Sequence, residues 1–215
     1  MPISRRYACG DAEIAVWAIE ETSEQLGEML GNESLLQHAR TFGSEARRAE
    51  WLAVRLLLRE MAGAEARIEY AEDGKPLLVG ATGYISISHT RGYAAVALSR
   101  KEPLGLDVEL QSRNAAVACS YVMKDCEMAA VPLEWRAAYF LLRWTACEAV
   151  YKLVGGFDYK ESLSMPVFAP TQCGVFALSL QCGVSRSFSV GYLFDEGLLL
   201  TVCAAAGTLP PIVRL

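Results

Sequence analysis

The chain has 215 residues, of which 53% are hydrophobic and 21% are charged, so it can bury one large core or two smaller ones. Its formal net charge of −5 disfavours a nucleic acid as the main partner, because such partners are bound through clustered lysine and arginine. The seven cysteines form no C-x-x-C pair, so they indicate neither a disulfide framework nor a zinc ribbon.

The sequence shows no targeting or membrane signal. Asp11 and Glu13 interrupt the apolar residues behind the basic start, and no apolar stretch reaches the length of a membrane span. We therefore expect a cytoplasmic protein that does not associate with membranes.

The first half of the sequence predicts a strand, a long helix and three further strands. The run Glu13–Ile19 favours a strand. Apolar residues at helical spacing predict a helix over Ser44–Met61, which Ser44 caps and Gly63 ends. Alternating and turn-forming residues then predict the three strands, which are Arg67–Tyr70, Tyr84–Ser88 and Tyr93–Leu98.

The second half repeats this order with a strand, a long helix and more strands. The predicted elements are a strand Leu104–Leu110, short helical pieces over Asn114–Met128, a helix Leu133–Leu153 and strands Gly174–Leu180, Ser185–Leu193 and Leu198–Ala204. The parallel order predicts an α+β fold with two similar α/β lobes, residues 1–101 and 102–215. We expect a ligand in the cleft between them.

The strand Leu104–Leu110 carries a pair of carboxylates. Alternation along a strand puts Asp107 and Glu109 on one face. Such a pair is commonly a solvated strand face, but it also suits a hard cation, since Mg²⁺ takes a few carboxylates together with water and phosphate oxygens. The pair alone leaves both readings open.

A third carboxylate lies on the predicted long helix. Trp144, Glu148, Tyr151 and Lys152 follow one another at i, i+4, i+7 and i+8 and therefore share a stripe. This pattern is typical of an amphipathic helix with an exposed Glu148–Lys152 pair. Glu148 joins the acidic pair only if the helix packs beside the strand of Asp107.

Two turns present polar groups that suit a nucleotide. In Asp73-Gly74-Lys75-Pro76 a lysine stands at the tip of a turn, where it can meet a phosphate or an adenine edge, or remain solvated. In the segment Ser86–Thr90 a strand ends with hydroxyl groups and His89, on a loop where ligand contacts concentrate. Capping of the local backbone by Ser and Thr is an equally good interpretation.

Together these fragments resemble the 4′-phosphopantetheinyl transferases, specifically the longer single-chain type typified by the surfactin-synthetase activator. The similarity runs from about Arg47 to Gly156 and rests on four motifs in the family's order. They are Gly74-Lys75-Pro76, Ile85–His89, Gly105-Leu106-Asp107-Val108-Glu109 and Trp144–Lys152.

The resemblance implies two lobes related by a pseudo-twofold, each with a small, mainly antiparallel sheet and a long helix, and coenzyme A in the cleft between them. It implies that Asp107, Glu109 and Glu148 bind Mg²⁺, with Mn²⁺ as a possible substitute. The residues implied to contact the nucleotide part of coenzyme A are Arg48, Lys75, Pro76, Ser88 and His89.

The implied reaction is the transfer of 4′-phosphopantetheine to a serine of an apo acyl or peptidyl carrier protein, with release of 3′,5′-ADP. The resemblance implies that Lys152 meets the diphosphate and that Asp107 and Glu148 support catalysis with the metal. It also implies that Glu148 accepts the serine proton, directly or through a metal-bound water. If both lobes lie in one chain, a monomer is the simpler expectation.

Two departures from the family pattern weigh on this interpretation. Cys147 stands where the family has a lysine, and Arg143, one turn earlier, is a candidate replacement. Before Phe42, the residues His38 and Arg40 partly replace the family's basic stretch. The alternatives are a weakened or inactive homologue that binds coenzyme A or a carrier protein, and a Mg²⁺-dependent phosphohydrolase that uses the same carboxylates.

Overall fold

The chain folds into two compact units. The structure, a computed structural model, describes residues 4–205, 207 and 209–215. One unit contains the described residues up to Lys101 together with Arg214 and Leu215, and the other contains Glu102–Val213. Each unit combines a small antiparallel sheet with helices, which confirms the predicted α+β class. Within the described residues, we find no helix with the length and hydropathy needed to cross a bilayer.

The first unit is built around a sheet and one long helix. Its elements are β1 (Arg5–Cys9), β2 (Ala12–Ala18), α1 (Ser23–Leu30), α2 (Glu33–Arg40), α3 (Glu45–Ala62), β3 (Arg67–Tyr70), β4 (Pro76–Val79), β5 (Tyr84–Thr90) and β6 (Tyr93–Ser99). The main sheet has the order β1-β2-β6-β5, and the C-terminal strand β12 (Val213–Arg214) lies beside β1. Strands β3 and β4 form a separate two-stranded ribbon.

Helix α3 has the boundaries that its end signals predict. The Ser44 hydroxyl accepts a hydrogen bond from the Arg47 amide at 3.2 Å, and Gly63 ends the helix with a φ of 92°. Its apolar face, including Leu52 and Leu57, is fully buried in a core shared with the main sheet.

The sequence reading missed several short elements of this unit, namely β1, α1, α2 and β4. Each of the two helices has only eight residues, and both carry charged and amide side chains that dilute the apolar periodicity. Their starts are marked by Thr22 and Asn32, whose side chains accept hydrogen bonds from the first helical turn.

The second unit follows the same plan. Its elements are β7 (Leu104–Leu110), α4 (Ala115–Cys119), α5 (Asp125–Ala130), α6 (Arg136–Val154), α7 (Tyr159–Ser162), β8 (Leu163–Ser164), β9 (Cys173–Cys182), β10 (Val184–Asp195) and β11 (Leu198–Ala204). The sheet order is β7-β11-β10-β9-β8, and all its pairs are antiparallel. Helix α6 begins three residues later than predicted and ends at Gly155.

Helix α6 approaches strand β7 so closely that only glycine fits at the contact. A Cβ atom on Gly105 would lie 1.8 Å from the carbonyl oxygen of Ala149 and 2.8 Å from its carbonyl carbon. Both are backbone atoms in the middle of a helix, so they cannot swing aside as a side chain would. Gly105 therefore sets the spacing between the strand of Asp107 and the helix of Glu148.

We predict that Gly105→Ala destabilises the second unit by about 1–3 kcal/mol or more, because the added methyl group must push α6 away from β7. Thermal unfolding measures the loss. Gly43→Ala is the matched control, since a Cβ there meets no atom within 4 Å. Equal unfolding temperatures for the two variants would contradict the close approach.

Candidate active site

The carboxylates of β7 lie next to helix α6. Asp107 and Glu109 are each only 6% exposed, although carboxylates are seldom buried without partners. On β7 their neighbours across the sheet are Thr201 and Leu199 of β11. Gly105 of the same strand lies against Ala149 of α6, and the charge of Asp107 acts on Glu148. The helix of Glu148 thus packs beside the strand of Asp107, which is the condition for Glu148 to join the acidic pair.

Lys152 binds to strand β7. Its Nζ atom donates to Asp107 Oδ1 at 2.7 Å and to the Leu106 carbonyl oxygen at 2.9 Å. The sequence alone favoured an exposed pair between Glu148 and Lys152. The structure instead gives Lys152 a buried carboxylate on a neighbouring element, where an ion pair is screened less by solvent.

Glu109 is held by Arg113, a residue that the sequence reading did not include. The Arg113 guanidinium forms an ion pair with one carboxylate oxygen of Glu109, and the Leu110 amide donates to the other at 2.9 Å. Arg113 also lies over the ring of Trp144, 5.1 Å from its centroid. The sequence pattern that could have indicated this pair is an arginine four residues after an acidic residue at the end of a strand. This pattern is too common to identify a functional residue.

Glu148 receives a hydrogen bond from a tyrosine beyond the end of its own helix. The Tyr159 hydroxyl donates to Glu148 Oε1 at 3.0 Å. Burial raises the pKa of Glu148 above its usual value, and the negative charge of Asp107 raises it further, while the bond from Tyr159 and the charges of Lys152 and Arg113 oppose the shift. Burial and the charge of Glu148 likewise raise the pKa of Tyr159.

The charge of this cluster suits a divalent cation. Three carboxylates face two cationic side chains, Lys152 and Arg113, which leaves an excess of one negative charge. Among the described residues, no three acidic, histidine or cysteine side chains form a ready-made metal cage. Mg²⁺ does not require one, because it is usually bound by one or two carboxylates with water and phosphate oxygens.

Cys147 lies in the core and not beside the carboxylates. Its side chain is fully buried among apolar residues of the second unit, and this burial raises the pKa of the thiol to about 12. The idea that Cys147 occupies a ligand-facing position is therefore wrong. Helical spacing explains why, since adjacent residues point about 100° apart and Glu148 takes the polar direction.

Arg143 does not replace the missing lysine either. It is 2% exposed, and its Nη2 atom donates to the carbonyl oxygens of Leu163 at 2.8 Å and Val122 at 3.3 Å. Its Nε and Nη1 atoms have no hydrogen-bond partner within the part of the chain that the structure describes. Arg143 thus links α6 to neighbouring loops from inside the core.

We predict that Cys147→Lys destabilises the protein by several kcal/mol without raising its activity, because it places an ammonium group in an apolar core. Cys147→Ala is the control that removes the thiol without adding charge. Chemical denaturation measures both variants. A stable Cys147→Lys protein with higher activity would show that the position faces a ligand after all.

In the first unit, His89 forms a small charged cluster with helix α3. Its Nδ1 atom lies 3.1 Å from Glu50 Oε2, and its Nε2 atom lies 2.8 Å from Arg47 Nη1. His89 is 43% exposed at the side chain and Arg47 is 46% exposed, so the cluster is accessible to a ligand. The sequence reading named Arg48, but Arg47 is the arginine that accompanies His89.

The other predicted nucleotide contacts are spread over the first unit. Arg48 donates to Glu45 Oε2 at 3.2 Å and to the Phe42 carbonyl oxygen at 2.9 Å. Lys75 lies 3.4 Å from Asp73 Oδ2 in its turn, and Pro76 follows as the first residue of β4. Ser88 is 2% exposed and points to the opposite face of β5 from His89.

The residues before Phe42 have structural partners. Arg40 pairs with Glu24 at 2.6 Å and with Glu33 at 3.6 Å. The His38 ring packs against Trp51, with the ring centroids 5.0 Å apart. Both residues therefore help to fix α2 on the first unit, a role that the sequence reading did not assign to them.

A cavity of about 800 Å³ in the second unit borders the carboxylate cluster. Its lining is made of apolar, amide and hydroxyl side chains and two arginines, and includes Leu133, Arg136, Phe140 and Phe194. Arg113 is part of both the cavity wall and the ion pair with Glu109. A molecule in this cavity would therefore touch a residue that supports the carboxylates.

Comparison with known proteins identifies two similar enzymes. No protein-family model matches the chain. Over 154 residues it is 32% identical to the 4′-phosphopantetheinyl transferase AcpT of Salmonella typhimurium and 31% identical to the 4′-phosphopantetheinyl transferase AcpT of Salmonella typhi. Each match covers 67% of this chain and 80% of the relative.

Proposed function

The chain belongs to the 4′-phosphopantetheinyl transferase family, and from this premise we propose that it moves the 4′-phosphopantetheine arm of coenzyme A to a serine of an apo acyl or peptidyl carrier protein. The reaction depends on Mg²⁺ and releases 3′,5′-ADP. The observation that carries the proposal is the cluster in which Lys152 reaches Asp107 while Glu148 faces the same strand.

The residues of the cluster have complementary tasks. Asp107, Glu109 and Glu148 would hold Mg²⁺ or Mn²⁺, which supplies a Lewis acid for the diphosphate. Lys152 offsets negative charge as it develops on the diphosphate oxygens. Glu148 accepts the proton of the carrier serine, and its raised pKa brings its basicity closer to that useful at neutral pH.

The first unit supplies contacts for the nucleotide part of coenzyme A. The exposed guanidinium of Arg47 lies beside the ring of His89 and suits a phosphate group. Lys75 and Pro76 lie at a turn and suit an adenine edge or a phosphate. Arg48 and Ser88 belong to the same proposed set. Arg48 is bonded to the Phe42 carbonyl oxygen and Ser88 is buried, so both favour a supporting role.

The alternative of an inactive homologue loses its main argument once Cys147 is placed in the core. A thiol that does not face the ligand cannot weaken the site by replacing a cation there. Every charged side chain named for the reaction in the second unit is present and engaged with its neighbours. We therefore favour an active transferase over a protein that only binds coenzyme A.

We predict that Glu148→Gln lowers transfer about 100-fold or more, because the amide cannot accept the serine proton. The assay is the mass gain of an apo carrier protein incubated with coenzyme A and Mg²⁺. Glu161→Gln, at an exposed ion pair with Lys124, is the control and should keep native activity. Native activity in Glu148→Gln would overturn the assignment of Glu148. Release of phosphate from coenzyme A without a carrier would instead indicate a phosphohydrolase.

The same variant should stabilise the metal-free protein at neutral pH. A carboxyl group whose pKa is raised on folding costs stability when it is ionised, and the neutral amide removes this cost. The gain should disappear in acid, where Glu148 is protonated in both the folded and the unfolded state. About 1 kcal/mol corresponds to a rise in Tm of roughly 2–4 °C for a protein of this size.

We propose that the carrier protein docks beside the cavity that borders Arg113. Leu133 lies on its rim with 76% exposure, next to arginines that suit an acidic carrier surface.

We predict that Leu133→Asp raises the KM for the carrier by roughly 5- to 30-fold, the effect of about 1–2 kcal/mol, and leaves the KM for coenzyme A unchanged. Val184→Asp, at a residue that is 77% exposed on the β9–β10 hairpin, is the control. Equal effects of both variants would exclude docking at Leu133.

A further inference from the structure

The chain turns back on itself after helix α6 and brings a tyrosine to the carboxylate of that helix. Gly155 ends α6 with a φ of 67°, a conformation that glycine adopts without strain. The short helix α7 then begins at Tyr159. Its hydroxyl reaches Glu148, 11 residues earlier in the chain, at 3.0 Å.

The position of Tyr159 is fixed by contacts that do not involve its hydroxyl group. Its ring stacks on Tyr151, with centroids 5.6 Å apart and planes at 29°, and meets Phe157 edge to face at 5.3 Å. Asp158 caps α7 by accepting hydrogen bonds from the amides of Lys160 and Glu161, each at 2.9 Å. The phenol is therefore presented to Glu148 by a packed aromatic group and a capped turn.

Glu148 needs such support more than its two neighbours do. Glu109 is held by Arg113 and a backbone amide, and Asp107 by the ammonium of Lys152. Glu148 is largely buried and is subject to the negative charge of Asp107, which would favour rotamers that turn it away. The hydrogen bond from Tyr159 opposes this rotation by fixing one carboxylate oxygen.

We propose that Tyr159 is a positioning residue for Glu148, which holds one oxygen of the carboxylate so that the other is directed to the divalent cation. This inference rests on the proposed function, because it assumes that Glu148 is a metal ligand. Groups that orient a metal-binding side chain without touching the metal typically change the affinity 10- to 100-fold when they are lost. Tyr159 acts on catalysis only through Glu148.

The test compares Tyr159→Phe with Tyr151→Phe. Both variants keep an aromatic ring in the stack and remove one hydroxyl group, but only the first removes the bond to Glu148. Binding of Mn²⁺ alone to the whole chain is measured by electron paramagnetic resonance, without carrier protein or turnover. We expect the Kd for Mn²⁺ to rise roughly 10- to 100-fold in Tyr159→Phe and to stay native in Tyr151→Phe.

Transfer assays give a second, independent readout. In Tyr159→Phe the metal concentration for half-maximal rate should rise by the same factor, while kcat at saturating Mn²⁺ stays within a few-fold of native. A lower kcat that excess metal does not restore would contradict a positioning role.

The outcomes separate this inference from the proposed function. If the native protein binds Mn²⁺ and Glu148→Gln weakens that binding, but Tyr159→Phe binds like native, then Tyr159 has no positioning role and the metal site stands. If the native protein binds no Mn²⁺, the metal assignment fails and the role of Tyr159 fails with it. Equal loss in Tyr159→Phe and Tyr151→Phe would show that removing either hydroxyl group has the same effect, so the hydrogen bond from Tyr159 to Glu148 would have no specific role and the inference would fail.

Discussion

The contact between Gly105 and the backbone of Ala149 is the constraint on which the carboxylate cluster depends. It lets helix α6 lie against strand β7 at a distance that a side chain on the strand would prevent. Lys152 then reaches Asp107, and the charge of Asp107 acts on Glu148. A glycine two residues before an acidic residue is therefore part of the site, although it carries no functional group.

The cluster shows how a protein can retain acidic groups that would otherwise be expelled to solvent. Lys152 and Arg113 each neutralise one carboxylate of β7, and Tyr159 bonds to Glu148. This compensation is incomplete, because burial and, after it, the negative charge of Asp107 raise the pKa of Glu148. The burial of Glu148 beside Asp107 therefore costs stability, as is common at functional sites.

The polar groups of the first unit follow a different principle. Arg47 and His89 lie at the accessible surface, and both lie close to Glu50, whose side chain is only 14% exposed. Exposed groups arranged in this way avoid the cost of burying an unpaired charge. The carboxylate cluster of the second unit is shielded from solvent, whereas the first unit presents Arg47 and His89 at its surface.

The sequence by itself determined the α+β class, the long helices and the strands that carry the acidic residues, because end signals and periodicity act over neighbouring residues. It also indicated Asp107, Glu109, Glu148 and Lys152 as one group through motif order. Only the tertiary structure decided which side chains pair, since Arg113, Arg47 and Tyr159 gain their roles from residues on other elements or beyond a turn. It also decided that Cys147 faces the core, because the direction of a side chain on α6 depends on where that helix packs.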